Sequence, residues 1–225
     1  MSRFRKLVKS LCDAIAGTLV LPLVAAYRVG ALLLGTNRAF PGWSQALSLI
    51  PGLTGVYLRR AFYRWVLPRC GRDACISFGT VFSHPTAEIG DRVYIGVYCV
   101  LGDVTLEDDV LVASQVSIAN GSQQHGIDRL DVPIREQPGT WPRIRIGRDS
   151  WIGERAVVLA DVGAQCVVAA GAVVTRPLPE RAIAAGVPAR IIRFRGDPSA
   201  PAPNDHSNNA TSSANSHRSL DHGSA

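Results

Sequence analysis

Aliphatic residues recur at every sixth position through the middle of the chain. One series runs from Ile89 to Ile118 with a single short step, and a second runs from Ile146 to Val174. A spacing of six matches neither the helical period of about 3.6 residues nor the alternation of a β-strand. Self-similarity at a short fixed period is typical of a solenoid, in which each repeat packs on its neighbours. The pattern therefore predicts a mainly β solenoid.

Each six-residue unit predicts one short strand and a turn, so that three units close a triangular coil of about eighteen residues. The aliphatic residue points inward. The small residue after it, often glycine or alanine, lies at a corner where bulk is disfavoured. The register departs from this rule at two places: the unit at Leu101 is one residue short, and the stretch Val158–Val167 lacks about two residues.

The two series are separated by residues 121–141, which do not follow the period. A loop of about twenty residues inside a compact domain is unusual and is commonly functional or disordered. This excursion contains isoleucine, leucine, valine and tryptophan, so we expect it to pack. It also contains His125, next to Gly126. The other histidines are His84, which precedes the first clear unit, and His206, His217 and His222 near the C-terminus.

Charge and composition divide the chain into three parts. Residues 1–75 hold 11 Arg or Lys and 2 Asp, whereas the remainder holds 13 Arg and 16 acids, so the basic excess is N-terminal. Residues 76–195 hold the solenoid, and residues 196–225, rich in Ser, Asn, Ala, His and Pro, are predicted to be a disordered tail. Basic residues beside apolar segments favour an anionic membrane surface as partner. Nucleic acid is not expected, since no recognised nucleic-acid-binding module is visible.

The apolar segments of residues 1–75 admit three interpretations. One stretch, Ala14 to Gly35, is interrupted only by Arg28, and a second uncharged stretch runs from Ala39 to Leu58. They could form a signal peptide, a signal anchor or short membrane hairpin with cytoplasmic basic flanks, or a helical cap on the open end of the solenoid. We favour membrane attachment combined with capping by residues 44–67, and a location on the cytoplasmic side of the inner membrane.

The five cysteines do not form a metal-binding pattern. Cys99 and Cys166 fall where small apolar residues normally lie, so buried free thiols in a reducing compartment are expected. Cys70 and Cys75 could supply half of a zinc site, but no histidine or cysteine pair nearby completes it. We therefore predict no metal.

Three motifs are shared with a known family. Residues 146–159 read IGRDSWIGERAVVL, residues 168–176 read VAAGAVVTR, and residues 185–193 read AGVPARIIR. Over residues 76–195 the chain thereby resembles the hexapeptide-repeat acyltransferases, which include galactoside, maltose, streptogramin and polysaccharide-biosynthesis acetyltransferases. The resemblance implies a left-handed parallel β-helix, an exception to the usual right-handed crossover. It also implies acetyl-CoA as co-substrate and a homotrimer with active sites between subunits.

His125 is the candidate general base. Acyl transfer from a thioester to a hydroxyl needs a group that removes the hydroxyl proton, and histidine titrates near neutrality. The spacing alone leaves a structural role equally open, but the family carries its catalytic histidine in this loop, which favours His125. A carboxylate often orients such a base. Asp128, Asp131 and Glu136 are candidates, of which we name Asp128, three residues away.

The resemblance implies six donor-binding residues: Trp151, Ala170, Thr175, Arg176, Arg190 and Arg193. Backbone groups of the alanine and threonine would contact the pantetheine arm, and the tryptophan side chain would lie against the acyl end. The arginines would bind phosphates, which suit their planar fork, and Arg176 replaces the family's usual lysine. One departure matters: Val97, Tyr98 and Cys99 stand near where galactoside enzymes carry a sugar-binding asparagine, so a free galactoside is not expected as acceptor.

The predicted function is transfer of an acetyl group from acetyl-CoA to a hydroxyl of a sugar in a surface polysaccharide or its precursor. The alternative is a soluble acetyltransferase of a small molecule such as an antibiotic or an amino acid, with the N-terminal region as a buried cap. A non-catalytic solenoid of the γ-carbonic-anhydrase type would need metal-binding histidines on the coil faces, and the solenoid proper has none.

Overall fold

A computed structural model describes residues 3–197, so the predicted tail lies outside the described residues except for Gly196 and Asp197. Four helices come first: α1 Arg3–Leu19, α2 Leu21–Leu34, α3 Thr36–Ser48 and α4 Gly52–Val66. The strands then follow, and a short 3₁₀ turn, Ile134–Glu136, interrupts them inside the excursion. The chain is thus a helical N-terminal region followed by a β domain.

The strands wind into six coils. In chain order they are β1 Arg69–Cys70, β2 Cys75–Ile76, β3 Val81–Phe82, β4 Glu88–Ile89, β5 Tyr94–Ile95, β6 Val100–Leu101, β7 Val104–Leu106, β8 Leu111–Val112, β9 Ser117–Ile118, β10 Ile144–Ile146, β11 Trp151–Ile152, β12 Val157–Val158, β13 Val167–Val168, β14 Val173–Val174, β15 Ala182–Ala185 and β16 Arg190–Phe194. Face A holds β1, β4, β7 and β10, face B holds β2, β5, β8, β11, β13, β15 and β16, and face C holds β3, β6, β9, β12 and β14. Bridges at Val162 and Leu178 extend face A.

One inward residue per strand builds the core. The column on face B is Ile76, Ile95, Val112, Ile152, Val168 and Ala184. The column on face C is Phe82, Leu101, Ile118, Val158 and Val174. The column on face A is Cys70, Ile89, Leu106, Ile146, Val162 and Leu178. All of these except Cys70 are buried, with at most 8% exposure. The predicted left-handed parallel β-helix with inward aliphatic residues is confirmed.

Two edges of this prism are regular. At the A–B and B–C edges the inward residues are six apart in every coil, as from Ile146 to Ile152 and on to Val158. The third residue after each inward residue adopts a left-handed backbone. These residues are Asp73, Arg92, Asp109, Asp149, Gln165 and Arg181 at the A–B edge, and Gly79, Tyr98, Gln115, Arg155 and Gly171 at the B–C edge. Coils also approach closely there, because a Cβ on Gly153 would lie 2.5 Å from the amide nitrogen of Ala170.

The C–A edge is irregular, and we call it the variable edge. The step to the next inward residue is seven residues after Phe82, five after Leu101, and four after both Val158 and Val174. After Ile118 the step is the whole excursion. Among residues 3–197 only Gly121 gives this edge a left-handed backbone. The short step to Val162, which the sequence suggests is a local defect, is the ordinary step for this edge in the last coils.

The solenoid begins earlier than predicted. Strand β1 at Arg69–Cys70 pairs in parallel with β4, so the first coil starts at residue 69 rather than 76. Its inward residues are Cys70, Ile76 and Phe82, which keep the spacing of six. A cysteine and a phenylalanine replace the usual aliphatic residues, which hid this coil in the sequence.

Helices α3 and α4 cap the open end of the first coil. The hydroxyl of Ser44 accepts a hydrogen bond from the Phe82 amide at 2.8 Å, and the Ser48 carbonyl accepts one from Gly79 at 2.9 Å. Buried Arg59 donates to the Ile76 carbonyl at 2.8 Å. The first coil would otherwise expose these backbone groups and its apolar end. Residues 44–67 therefore lie against the open end of the first coil.

Among the described helices, none is by itself long and apolar enough to cross a membrane. Two neighbouring segments, Leu7–Leu19 and Leu21–Leu34, meet the length and composition required for a span when taken together, although they are bent by 41°. At the other end of the chain, β16 pairs antiparallel with β15 and closes face B.

Candidate active site

The excursion leaves the solenoid at the variable edge and is tethered where it starts and ends. Asn120, 4% exposed, donates to the Asp103 carbonyl at 2.9 Å and to the Pro142 carbonyl at 3.0 Å. Its side-chain oxygen accepts from the Asp103 amide at 3.0 Å. Arg143 pairs with Glu88 at 2.7 Å and with Asp103 at 3.1 Å. The loop therefore has a fixed base.

The loop is also ordered within itself. The Thr140 amide donates to the Gln123 carbonyl at 2.7 Å, which aligns the two arms. Buried Gln137 donates to the carbonyls of Arg129 at 2.7 Å and Val132 at 2.9 Å and holds the tip. A Cβ on Gly139 would lie 2.0 Å from the carbonyl oxygen of the residue before His125. The segment is thus ordered by hydrogen bonds, but the expectation that its apolar side chains pack is wrong, since Ile127, Leu130, Ile134 and Trp141 are 53 to 100% exposed.

His125 lies on the wall of a cavity of about 440 Å³ formed by the excursion. Its ring meets the ring of Trp141 edge to face, with centroids 6.0 Å apart and planes at 87°. Within residues 3–197 its ring nitrogens have no hydrogen-bond partner. The side chain is exposed, so an imidazole nitrogen is available to a molecule that enters the cavity.

The three candidate carboxylates have different surroundings. Asp131 pairs with Arg129 at 2.5 Å, and this guanidinium lowers the pKa of the Asp131 carboxyl. Glu136 pairs with Arg135 at 3.5 Å. Asp128 lines the same cavity as His125. Of the three, Asp128 is the one that shares a cavity wall with the histidine, although it makes no direct hydrogen bond to it.

A second cavity of about 320 Å³ follows the variable edge below the excursion. Ser83 and His84 line it from the first coil, Gly102 from the second and Asn120 from the third, and Trp141 of the excursion also lines it. The Ser83 hydroxyl and His84 Nδ1 share a hydrogen bond of 2.8 Å. Since Trp141 contacts His125, this cavity adjoins the first. His84 is not among the site residues predicted from the sequence. The signal that could have identified it is its position directly after β3, a strand of face C.

The predicted donor-binding residues divide between two sides of the prism. Trp151 lies on face B, 53% exposed, in an outward column with Leu111 and Tyr94. Arg190 and Arg193 lie on β16 of the same face, where Arg193 pairs with Ile183. All three follow face B near the C-terminal end of the solenoid.

The other three predicted donor-binding residues lie elsewhere. Ala170 is at the B–C edge beside Gly171. Thr175 and Arg176 are exposed on the variable edge, directly after β14. They share this edge with the His125 excursion, two coils away, or about 10 Å at the usual strand spacing. One chain therefore brings Thr175 and Arg176 to the side of His125, but places Trp151 across the prism.

Comparison with known proteins places this fold in a family. Residues 143–176 match the family described as hexapeptide repeat of succinyl-transferase. Galactoside O-acetyltransferase of Escherichia coli K12 is 30% identical over 146 residues, which are 62% of this chain and 70% of that enzyme. WbbJ of the same organism, described as a candidate lipopolysaccharide-biosynthesis O-acetyl transferase, is 33% identical over 125 residues, 51% of this chain and 61% of WbbJ.

Other relatives match over shorter spans. Serine acetyltransferase of E. coli K12 is 32% identical over 112 residues, 48% of this chain and 37% of that enzyme. The chain thus spans less than two thirds of the length of several curated relatives: 61% of WbbJ, 40% of an acetyltransferase homologue from Mycobacterium tuberculosis and 37% of the serine acetyltransferase.

A solved structure agrees with these sequence matches. The hexapeptide-repeat acetyltransferase VCA0836 of Vibrio cholerae, complexed with acetyl coenzyme A, superposes with a TM-score of 0.59 at 25% identity. The superposition covers 70% of this chain and 86% of that one. Together with the galactoside O-acetyltransferase match, the repeat columns and the shared motifs, it shows that the chain belongs to the hexapeptide-repeat acetyltransferases.

Proposed function

We propose that the protein transfers an acetyl group from acetyl-CoA to a hydroxyl of a sugar in a surface polysaccharide or its precursor. One observation carries the proposal: the exposed imidazole of His125 stands in a fixed cavity on the edge that also carries Thr175 and Arg176. A family member solved with acetyl coenzyme A and relatives described as sugar or lipopolysaccharide O-acetyltransferases support the same donor and acceptor class.

His125 acts as general base in this proposal. Its unprotonated ring nitrogen accepts the acceptor's hydroxyl proton while the hydroxyl oxygen attacks the thioester carbonyl carbon. The carbon–sulfur bond then breaks, and the thiolate leaving group takes a proton back from the imidazolium. The products are the acetyl ester and the free thiol, so no protein nucleophile is needed. Asp128 would orient the imidazolium once substrate narrows the cavity.

The donor-binding residues fit a polyphosphate thioester by their chemistry. The side chains of Arg176 and Arg190 are exposed cations, and an arginine fork binds phosphate oxygens in pairs. The guanidinium of Arg193 is assigned to phosphate binding in the same way. The exposed indole of Trp151 offers a flat apolar wall for the acyl end. These residues would hold the thioester donor, whose activated acyl group supplies the chemistry.

The proposal includes a homotrimer, which the positions of these residues support. In a triangular prism the variable edge is opposite face B, so His125 and Trp151 of one chain cannot line the same groove. A groove between the variable edge of one subunit and face B of the next would join them. The excursion also exposes apolar side chains at its tip, including Leu130, which is fully exposed and suits a subunit contact. Sedimentation of the intact protein at three times 24.1 kDa is the expected result.

The location proposed is the cytoplasmic side of the inner membrane, where acyl-CoA donors and lipid-linked sugar precursors meet. The excess of Arg and Lys in residues 1–75 supports this orientation.

The test of the catalytic role is His125→Ala, with thiol release measured in the presence of acetyl-CoA and an acceptor panel. Removal of a general base lowers kcat by about 10²- to 10⁴-fold. The melting temperature should stay unchanged, because the side chain is exposed. Full activity in this variant would show that another group removes the proton.

A specific observation also supports a second class of acceptor. A serine acetyltransferase matches almost half of this chain, so a hydroxyl amino acid is the alternative acceptor. Both acceptors present a hydroxyl to the same base, and His125→Ala cannot separate them. The panel does: turnover of L-serine without turnover of sugars would favour the alternative.

A further inference from the structure

The N-terminal helix α1 turns its apolar side away from the protein. The stripe consists of Phe4, Leu7, Val8, Leu11, Ile15 and Leu19, whose side chains are 43 to 73% exposed. A helix on the surface of a soluble protein normally places such a stripe against the core. Here the stripe faces solvent, which leaves a continuous apolar surface without a partner among residues 3–197.

The opposite side of α1 is fixed to the rest of the protein. Lys9 Nζ lies 2.6 Å from a carboxylate oxygen of Asp73 beside the first coil. Arg60 of α4, 5% exposed, donates to the Asp13 carboxylate at 2.5 Å. Ala16 on the same side is buried. These contacts set the rotation of α1, so the outward stripe is a consequence of the fold.

Helix α2 continues the same outer surface. Helical hydrogen bonds pass through the bend, from Val20 to the Ala16 carbonyl at 3.1 Å and from Val24 to the Val20 carbonyl at 2.9 Å. The inner line therefore runs on through Val24 to Tyr27, which packs against Phe40 and Phe62 of the cap. Away from this line, the large exposed apolar side chains of α2 are Leu21, Val29, Leu32, Leu33 and Leu34. The pair forms a bent rod about 50 Å long, at 1.5 Å per residue.

The charge of this region selects a partner. Residues 1–66 contain nine arginine or lysine residues and one acid, Asp13. Arg59 and Arg60 are buried and Lys9 pairs with Asp73, but Arg28, Arg38 and Arg64 are exposed. An apolar stripe beside an excess of positive charge matches a bilayer surface that carries anionic headgroups. A second copy of the chain would bring two positively charged surfaces together, which opposes self-association through the stripe.

We propose that α1 and α2 form an in-plane anchor, which lies in the headgroup region of an anionic bilayer with its outer face toward the acyl chains. The rod lies on the membrane and does not cross it, because its inner line from Ala16 to Tyr27 packs on the helices that cap the solenoid. To cross the membrane, the two helices would have to detach the residues from Ala16 to Tyr27 from the cap helices. The first coil is then nearest the lipid. The His125 excursion leaves the solenoid two coils farther from the membrane.

Vesicle flotation of the full-length protein tests the anchor. The probes are vesicles of phosphatidylcholine, with and without phosphatidylglycerol. The double variant Leu7→Glu, Leu11→Glu changes exposed positions, so its melting temperature should match the wild type. We expect flotation with the anionic vesicles, weakening as salt rises, and at least a tenfold loss of partition in the variant. Val187→Glu with Ile192→Glu adds the same charge at the far end of the solenoid and should float like wild type.

Four results would overturn the proposal. The wild type could fail to float with either lipid, or the Glu variant could float as well as wild type. Retention of the protein in membranes after alkaline carbonate washing would indicate a span. A loss of oligomer mass in the Leu7, Leu11 variant with unchanged flotation would show that a second copy covers the stripe. None of these measurements requires acyl transfer, so they test the membrane anchor independently of the proposed enzyme activity.

Discussion

The regular and variable edges of the prism share one core but carry different functions. At the A–B and B–C edges each corner uses the same six-residue step and a left-handed residue in the third place, as at Asp149 and Arg155. At the variable edge the step ranges from four residues to the whole excursion. His84, His125 and Arg176 all lie at this edge. Side chains suited to catalysis are therefore concentrated where the repeat is least constrained.

The difference has a physical cause. At a regular edge, corners stack so closely that a Cβ on Gly96 would lie 2.6 Å from the amide nitrogen of Ser114 in the next coil. An inserted residue there would separate the coils and break their hydrogen bonds. At the variable edge the strands of faces C and A still stack, and corners of several lengths close the coil. That edge can lengthen without loss of the core.

Removal of the excursion is the strongest test of this division. Replacement of residues 121–141 by two glycines should be tolerated by the fold, since Asn120 and Pro142 already lie within hydrogen-bonding distance. Loss of His125 and its cavity should lower acetyl transfer by about 10³-fold or more. Circular dichroism melting and thiol-release assays measure the two effects. Unfolding of this variant would mean that the excursion is part of the scaffold.

A matched pair of insertions compares the edges directly. Two glycines after Ala164, at the A–B edge, would displace bonds such as Gln165 to the Arg148 carbonyl at 2.8 Å and Arg181 to the Ala164 carbonyl at 2.8 Å. At roughly 1 kcal/mol for each of about three bonds, the free energy of unfolding should fall by about 3 kcal/mol. The same insertion after Leu159, at the variable edge, should cost less than about 1 kcal/mol. Urea denaturation measures the free energy of unfolding of both variants. Equal losses would show that the two edges tolerate insertions equally.

The sequence predicts the regular edges better than anything else in the molecule, because their step of six repeats unchanged. It also locates the excursion and His125, since a break in a strict period is conspicuous. It misses the first coil because Cys70 and Phe82 occupy inward positions. It misses the direction of the α1 stripe because the ion pairs that set it join residues far apart in the chain, such as Asp13 and Arg60. Contacts between distant segments have no periodic signal.

Loosening the base of the excursion should have a smaller effect than removing it. Asn120→Ala removes the hydrogen bonds to the Asp103 amide, the Asp103 carbonyl and the Pro142 carbonyl, and of these the Asp103 carbonyl keeps its bond from the Ile144 amide at 3.1 Å. We expect a loss of about 1 to 3 kcal/mol in unfolding free energy and about a tenfold fall in kcat, because the cavity of His125 loses its fixed base. Urea titration and initial rates check both. If kcat stays at the wild-type value, the tether has no part in positioning His125.

His84 should affect acceptor binding and leave the chemical step intact. It lines the cavity that adjoins that of His125, so His84→Ala should raise the acceptor KM several-fold with kcat nearly unchanged. A Ser83→Ala variant removes the hydrogen bond to His84 Nδ1 and should shift KM less. Steady-state kinetics with the acceptor varied give both values. A fall in kcat as large as that of His125→Ala would move His84 into the catalytic step.

The smallest effect concerns the thiols at the regular edges. Cys99 and Cys166 are buried there, and burial raises the pKa of each thiol. Their Sγ atoms contact carbonyl oxygens of Ala113 at 3.1 Å and Pro179 at 3.0 Å. Because alkylation requires the thiolate, a raised pKa and burial both slow the reaction. Mass spectrometry after brief iodoacetamide treatment at mildly alkaline pH should find these two unmodified in the native protein and modified in urea. Rapid native labelling would show that the regular edges open readily, which their close coil contacts do not allow.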